Sequence, residues 1–366
     1  MNKLLITIVL TLFFSLFGNN QEYTTILDNK TYVESVIKAN NLLKTMSIEE
    51  KIGQLLLVRV PKENQIETIT KYHLGGYILF GRDVEDITKN ELINKIKKWE
   101  DVSKIPLILA IDEEGGKVSR LSNNKNIVEN PFLSSQELYQ QGGFNEIYQD
   151  TINKNKLLEE LHINLNLAPV ADISLNPSSY IYKRTFGKDT LLTSKYISTV
   201  IKACNKTNVN CTLKHFPGYG ENVDTHEGIA YDIRTLQELR NNDFLTFISG
   251  IKEGVNFILV NHNIYPNIDN MPATLSIKFH DILRNELNFK GLIISDDLEM
   301  NAIKEIENPY IKAINAGNDI LIVTNIEESY NELLNGYKLG KIKEETINEA
   351  VLRILIWKYE TFDFSL

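Results

Sequence analysis

The sequence predicts an α/β protein, a closed (β/α)8 barrel of the TIM type in a single domain. Three observations predict it. Eight short apolar runs recur along the chain, at residues 54–58, 76–80, 106–111, 164–170, 210–213, 256–260, 291–294 and 319–323. Longer amphipathic stretches separate them. No Pro/Gly/Ser-rich linker or low-complexity tract divides the 366 residues, and one α/β barrel routinely takes up that length.

Each observation has a physical basis. A continuous apolar run suits a strand covered on both faces, as in a parallel sheet. The intervening stretches carry helical spacing. Residues 235–252 place Leu236, Leu239, Phe244, Phe247, Ile248 and Ile251 on one face. Residues 275–287 and 342–359 read as helices too. Ser47 with Glu50 three positions later is a capping-box signal for a helix start. Strands alternating with helices imply parallel βαβ units, and eight units favour closure over the alternative doubly wound open sheet.

The N-terminus reads as a targeting segment. Lys3 precedes an apolar run at 4–17, interrupted only by Thr7, Thr11 and Ser15. Such a run fits a secretory signal and is short for a spanning helix. The expectation is export to the periplasm, cell surface or medium. Leu16 and Phe17 make a poor cleavage site, so cleavage or retention as an anchor stays open. The expected division is 1–20 signal or anchor, 21–46 lead-in and helix, and 47–366 barrel.

Composition excludes several function classes. The net charge is −9 with no basic stripe, so nucleic acid is not an expected partner. Membrane contact is expected only through an uncleaved N-terminal segment, and the chain is expected to be a monomer. There is no CxxC, HExxH or Walker loop, so no metal and no cofactor are expected. The two cysteines, Cys204 on a helix and Cys211 on the next strand, read as buried free thiols.

Polar residues directly follow six of the apolar runs. They are Asp112-Glu113-Glu114, Asp172, Lys214-His215, Asn261-His262, Ser295-Asp296-Asp297 and Thr324-Asn325. In a barrel these positions share one rim, where function gathers. Six polar tips make a pocket suited to a polyhydroxylated ligand. Cleaving a glycoside needs a carboxylate beneath the anomeric carbon and a proton donor at the leaving oxygen. Asp296, ending a buried strand, supplies the first. The loop 218–228 supplies the second, because Asp224 and His226 alternate along it and point the same way. A carboxylate fixes the tautomer of a neighbouring imidazole, whose ordinary pKa of about 6.5 lies near working pH. Asp296 or Asp297 also reads as a cap of the following helix. Glu113-Glu114, Asp172 and His262 read as supporting groups.

Taken together, these segments resemble glycoside hydrolase family 3, and within it the single-domain bacterial β-N-acetylglucosaminidases. The resemblance is carried by residues 110–120, 167–172, Arg184-Thr185-Phe186-Gly187, Lys214-His215-Phe216-Pro217-Gly218, Asp224-Thr225-His226 and 291–298. It implies a barrel, a retaining mechanism with Asp296 as nucleophile, and His226 as general acid/base tuned by Asp224. It implies that Asp112, Arg120, Arg184, Lys214 and His215 hold the sugar at the non-reducing end. The implied partner is a β-GlcNAc-containing oligosaccharide of the cell-wall or chitin type. β-Glucosidase or β-xylosidase activity, phosphorolysis, and a catalytically inactive sugar-binding barrel are the alternatives. The chain departs from the family pattern in having Tyr219 where His is usual, and in a loop one residue shorter between Gly220 and Asp224.

Overall fold

The computed structural model describes residues 30–222 and 228–365. Eight parallel strands form one sheet: β1 (Leu56–Arg59), β2 (Gly76–Leu79), β3 (Ile108–Ile111), β4 (Leu165–Asn166), β5 (Asn210–Phe216), β6 (Phe257–Val260), β7 (Leu292–Ser295) and β8 (Leu321–Val323). They pair in the order β7-β6-β5-β4-β3-β2-β1-β8. A parallel bridge from Ile294 to Ile320 joins the two ends, so the barrel closes and the open doubly wound sheet is excluded. All eight expected runs became strands because their residues are covered by helices outside and by one another within. β4 is shorter than its apolar run. Pro169 has no N–H to donate, and the ladder resumes only as a bridge from Val170 to Lys214.

The helices follow the amphipathic pattern with two differences. The stretch 235–252 breaks into Leu236–Asn241 and Asp243–Lys252. The non-helical backbone at Asn242 seats Asp243 in the interior, where its carboxylate meets Arg234 at 2.7 Å. The stretch 275–287 is Ile277–Asp281 followed by a π turn at Ile282–Glu286. The capping box at Ser47 and Glu50 forms as expected and starts the helix Ile48–Gln54.

The cysteine reading is corrected. Cys204 and Cys211 are joined in a disulfide, with Cα atoms 6.3 Å apart. The turn at Thr207 brings them together: its amide bonds Cys204 O at 2.9 Å and its hydroxyl bonds the same carbonyl at 2.7 Å. The end of the helix Thr190–Cys204 thereby folds back onto the second residue of β5. Spacing alone did not reveal this, because a helix-to-strand turn can place its two ends in many ways. Closing so short a loop removes about 2–3 kcal/mol of unfolded-chain entropy. Reduction, or Cys204→Ser with Cys211→Ser, is expected to lower unfolding stability by roughly that amount in denaturant titrations. No loss in either case would show that the bridge does not constrain the unfolded chain.

Candidate active site

The mouth at the C-terminal ends of the strands holds a cavity of about 320 Å³. Asp112, Arg120, Arg184, Lys214, His215 and Asp296 all line it. Six of the eight residues singled out from the sequence therefore meet in one place. The other two, Asp224 and His226, lie outside the described residues. The remaining wall is largely apolar and aromatic: Ile78, Phe80, Val118, Leu167, Tyr180, Tyr219, Leu259 and Ile322.

The charged side chains form a continuous ladder. Asp112 follows β3 and receives Lys214 Nζ at 2.7 Å on one oxygen and an Arg120 guanidinium nitrogen at 3.1 Å on the other. Lys214 reaches a second carboxylate, Glu114, at 2.7 Å. Glu114 also takes Arg184 in a two-pronged contact at 2.8 and 3.1 Å. Arg184 lies 3.1 Å from His215 Nε2, and His215 Nδ1 lies 2.6 Å from buried Asp172. Burial would raise the carboxyl of Asp112, but Lys214 and Arg120 outweigh it and hold the group well below the usual range. Burial opposes ionisation of Glu114 as well, yet Arg184 and Lys214 hold it down at about 2. Desolvation works against the Arg184 cation, and Glu114 more than offsets it. All three therefore stay charged at working pH, fixing a rigid set of donors and acceptors at the cavity wall.

Asp296 directly follows β7 and forms no ion pair among the described residues. One of its oxygens accepts the backbone N–H of Asp297 at 2.9 Å. The helix-cap reading fails for it, because the next helix in the chain is Pro309–Ala316. Asp297 instead makes the local turn, accepting from Glu299 N at 3.1 Å. His262 supports it from below, with Nε2 2.9 Å from the Asp297 carbonyl. Burial pushes the Asp297 carboxyl up to about 6, and the charge of Asp296 beside it adds to the rise.

Residues 47–356 match the family model described as "Glycosyl hydrolase family 3 N terminal domain". The chain belongs to glycosyl hydrolase family 3. Within the family it is 29% identical over 322 residues to "Beta-hexosaminidase A" of Pseudoalteromonas piscicida, covering 79% of this chain and 54% of that protein. It is 32% identical over 263 residues to "Beta-hexosaminidase" of Idiomarina loihiensis, covering 69% and 77% respectively. The chain thus spans about half of the first relative and most of the second. A solved family 3 β-N-acetylglucosaminidase from Paenibacillus sp. str. FPU-7 superposes with a TM-score of 0.79 at 26% identity, over 88% of this chain and 64% of that one.

Sequence reasoning had left Glu114 and Asp172 as supporting groups. Glu114 joins the cavity cations Arg184 and Lys214, and its alternation with Asp112 was the available signal, since positions two apart share a strand face. Tyr180 came from a loop without any motif and was not foreseen; its ring lies 6.0 Å from that of Tyr219.

Asp297 gives a pH-dependent prediction. Its pKa is raised on folding, so the folded protein prefers the protonated carboxyl. The stability contributed by that proton is present below about pH 4 and is lost as pH rises to about 6. Asp297→Asn is expected to raise Tm at pH 8 and to leave it nearly unchanged at pH 4. An equal effect at both values in thermal melts would contradict this.

Proposed function

We propose that this family 3 chain is a retaining exo-β-N-acetylglucosaminidase that releases terminal β-GlcNAc from cell-wall or chitin-type oligosaccharides. The observation that carries the reading is the cavity, where a carboxylate at a strand tip faces the charged ladder of Asp112, Lys214, Arg120, Glu114 and Arg184. Such a set suits a small hydroxylated ring, and the apolar wall suits its carbon face. The names of the bacterial relatives support the choice of an N-acetylhexosamine.

In the proposed double displacement, Asp296 attacks the anomeric carbon while protonated His226 gives its proton to the departing oxygen. The glycosyl-enzyme bond is then broken by water, whose proton returns to neutral His226 as GlcNAc leaves with its β configuration retained. Asp224 holds His226 in the tautomer that performs both transfers. An imidazole in this role leaves Asp296 as the only reacting carboxylate. The steps use side chains alone.

We also propose export. The apolar segment at 4–17 supports it, and so does the Cys204–Cys211 bond, since disulfides persist in oxidising compartments. Recovery of the native protein in the cytoplasm with both thiols reduced would overturn this.

The mechanism is tested with aryl β-GlcNAc substrates. Asp296→Ala is expected to lower kcat by ~10³-fold or more. His226→Ala is expected to cost ~10²–10⁴-fold on poor leaving groups and far less on activated ones. Near-wild-type turnover by the first variant, or equal losses across leaving groups for the second, would remove the assignment. Faster cleavage of the matched β-glucoside would reassign the sugar.

A further inference from the structure

One cation beside the mouth has no task in the proposed reaction. Arg59 is the last residue of β1 and stands in register with Ile78 of β2. Registered residues of parallel neighbours point to the same side of the sheet. Ile78 lines the cavity, so Arg59 stands on the same face of the sheet, next to the lining residues though not one of them. The other neighbour agrees. Leu57 shares a face with Arg59 and pairs with Ile322, which also lines the cavity.

The guanidinium of Arg59 lies 4.1 Å from the centre of the Phe80 ring, and that of Arg120 lies 5.4 Å from the same ring. Phe80 and Arg120 are both cavity walls. Among the described residues the Arg59 side chain makes no hydrogen bond or ion pair, and its Nε is buried without a partner. Arg120 also keeps a buried, unpartnered Nε, although its terminal nitrogen is held by Asp112. Asp297 is the nearby carboxylate that senses Arg59, and no ion pair joins them. A guanidinium packed on an aromatic ring and making no hydrogen bond keeps donors available, and its edge matches a planar or tetrahedral oxyanion. A partly desolvated cation held in no ion pair gains from an anionic ligand.

We propose that Arg59, seated on Phe80 with Arg120 beside it, forms a subsite for an oxyanion carried by the sugar ligand, with phosphate as its simplest form. This rests on the reading that the cavity holds a GlcNAc unit. The anion sits either at C1, on the leaving-group side, or at C6, at the far end of the ring. One experiment separates these. The full chain is titrated calorimetrically with GlcNAc, GlcNAc 1-phosphate and GlcNAc 6-phosphate at fixed ionic strength, as the wild type and as Arg59→Gln and Arg59→Lys.

One of the two phosphates is expected to bind at least ~10-fold more tightly than GlcNAc, the size of one charged hydrogen-bond contact. Arg59→Gln is expected to abolish that gain and leave GlcNAc affinity within about twofold, while Arg59→Lys retains part of it. If neither phosphate binds better than GlcNAc, or the gain survives in Arg59→Gln with Tm unchanged, the subsite is overturned. If GlcNAc and both phosphates fail to bind the wild type, the sugar reading of the cavity falls and the subsite with it.

Discussion

The ammonium of Lys214 is almost wholly buried between two carboxylates, Asp112 and Glu114. A lone cation at that depth would cost several kcal/mol in lost hydration, and so would either carboxylate. The arrangement persists because each charge is satisfied twice. Asp112 has Arg120 as a second partner and Glu114 has Arg184. Removing any one member takes from a buried neighbour of opposite sign one of its two partners, so the group behaves as a unit. The barrel supplies the placement. Asp112 and Glu114 extend from β3, Lys214 lies near the end of β5, and β4 between them carries the chain to Asp172.

Much of this was legible in the sequence because it follows from periodicity. A buried parallel strand has to be apolar, and its first polar residue marks the rim. That rule located Asp112, Asp172, Lys214 and Asp296 without reference to any partner. What stayed hidden depended on pairings between distant residues. Nothing local indicates that Glu114 selects Arg184, seventy positions on, or that the ring of Tyr180 faces Tyr219. The disulfide was missed for the same reason, since the turn that closes it is set by hydrogen bonds from Thr207. The break at Asn242 followed a tertiary demand too: Asp243 is drawn inward by Arg234, against a helical periodicity that would have continued unbroken.

Asp172 shows how one buried carboxylate serves two parts of the site. Its Oδ2 holds the His215 ring at 2.6 Å and the His215 backbone N–H at 3.2 Å. Its Oδ1 accepts the backbone N–H of Tyr219 at 2.7 Å. The residue that aims His215 at Arg184 is therefore the one that fixes the start of the segment after Gly218. The strand carrying Lys214 and His215 and the loop expected to carry the acid/base pair share a single anchor.

A second anchor acts on both sides of that loop. Arg234 donates to the Gly218 carbonyl at 3.0 Å, to both oxygens of Asp232, and to Asp243. Asn222 donates to Asp232 at 3.1 Å and to the Tyr219 carbonyl at 2.8 Å. The chain before residue 223 and the chain after residue 227 are therefore stitched to each other through one arginine and one aspartate. Five residues, Asp224 and His226 among them, join the two stitched ends. With both ends fixed, a change in the number of residues between them cannot be taken up by sliding either flank. The departures noted from sequence, Tyr219 and the shortened segment, fall on the part of the molecule held by Asp172, Arg234 and Asn222. Asp172, Arg234 and Asn222 thus hold both flanks of the segment expected to carry the acid/base pair.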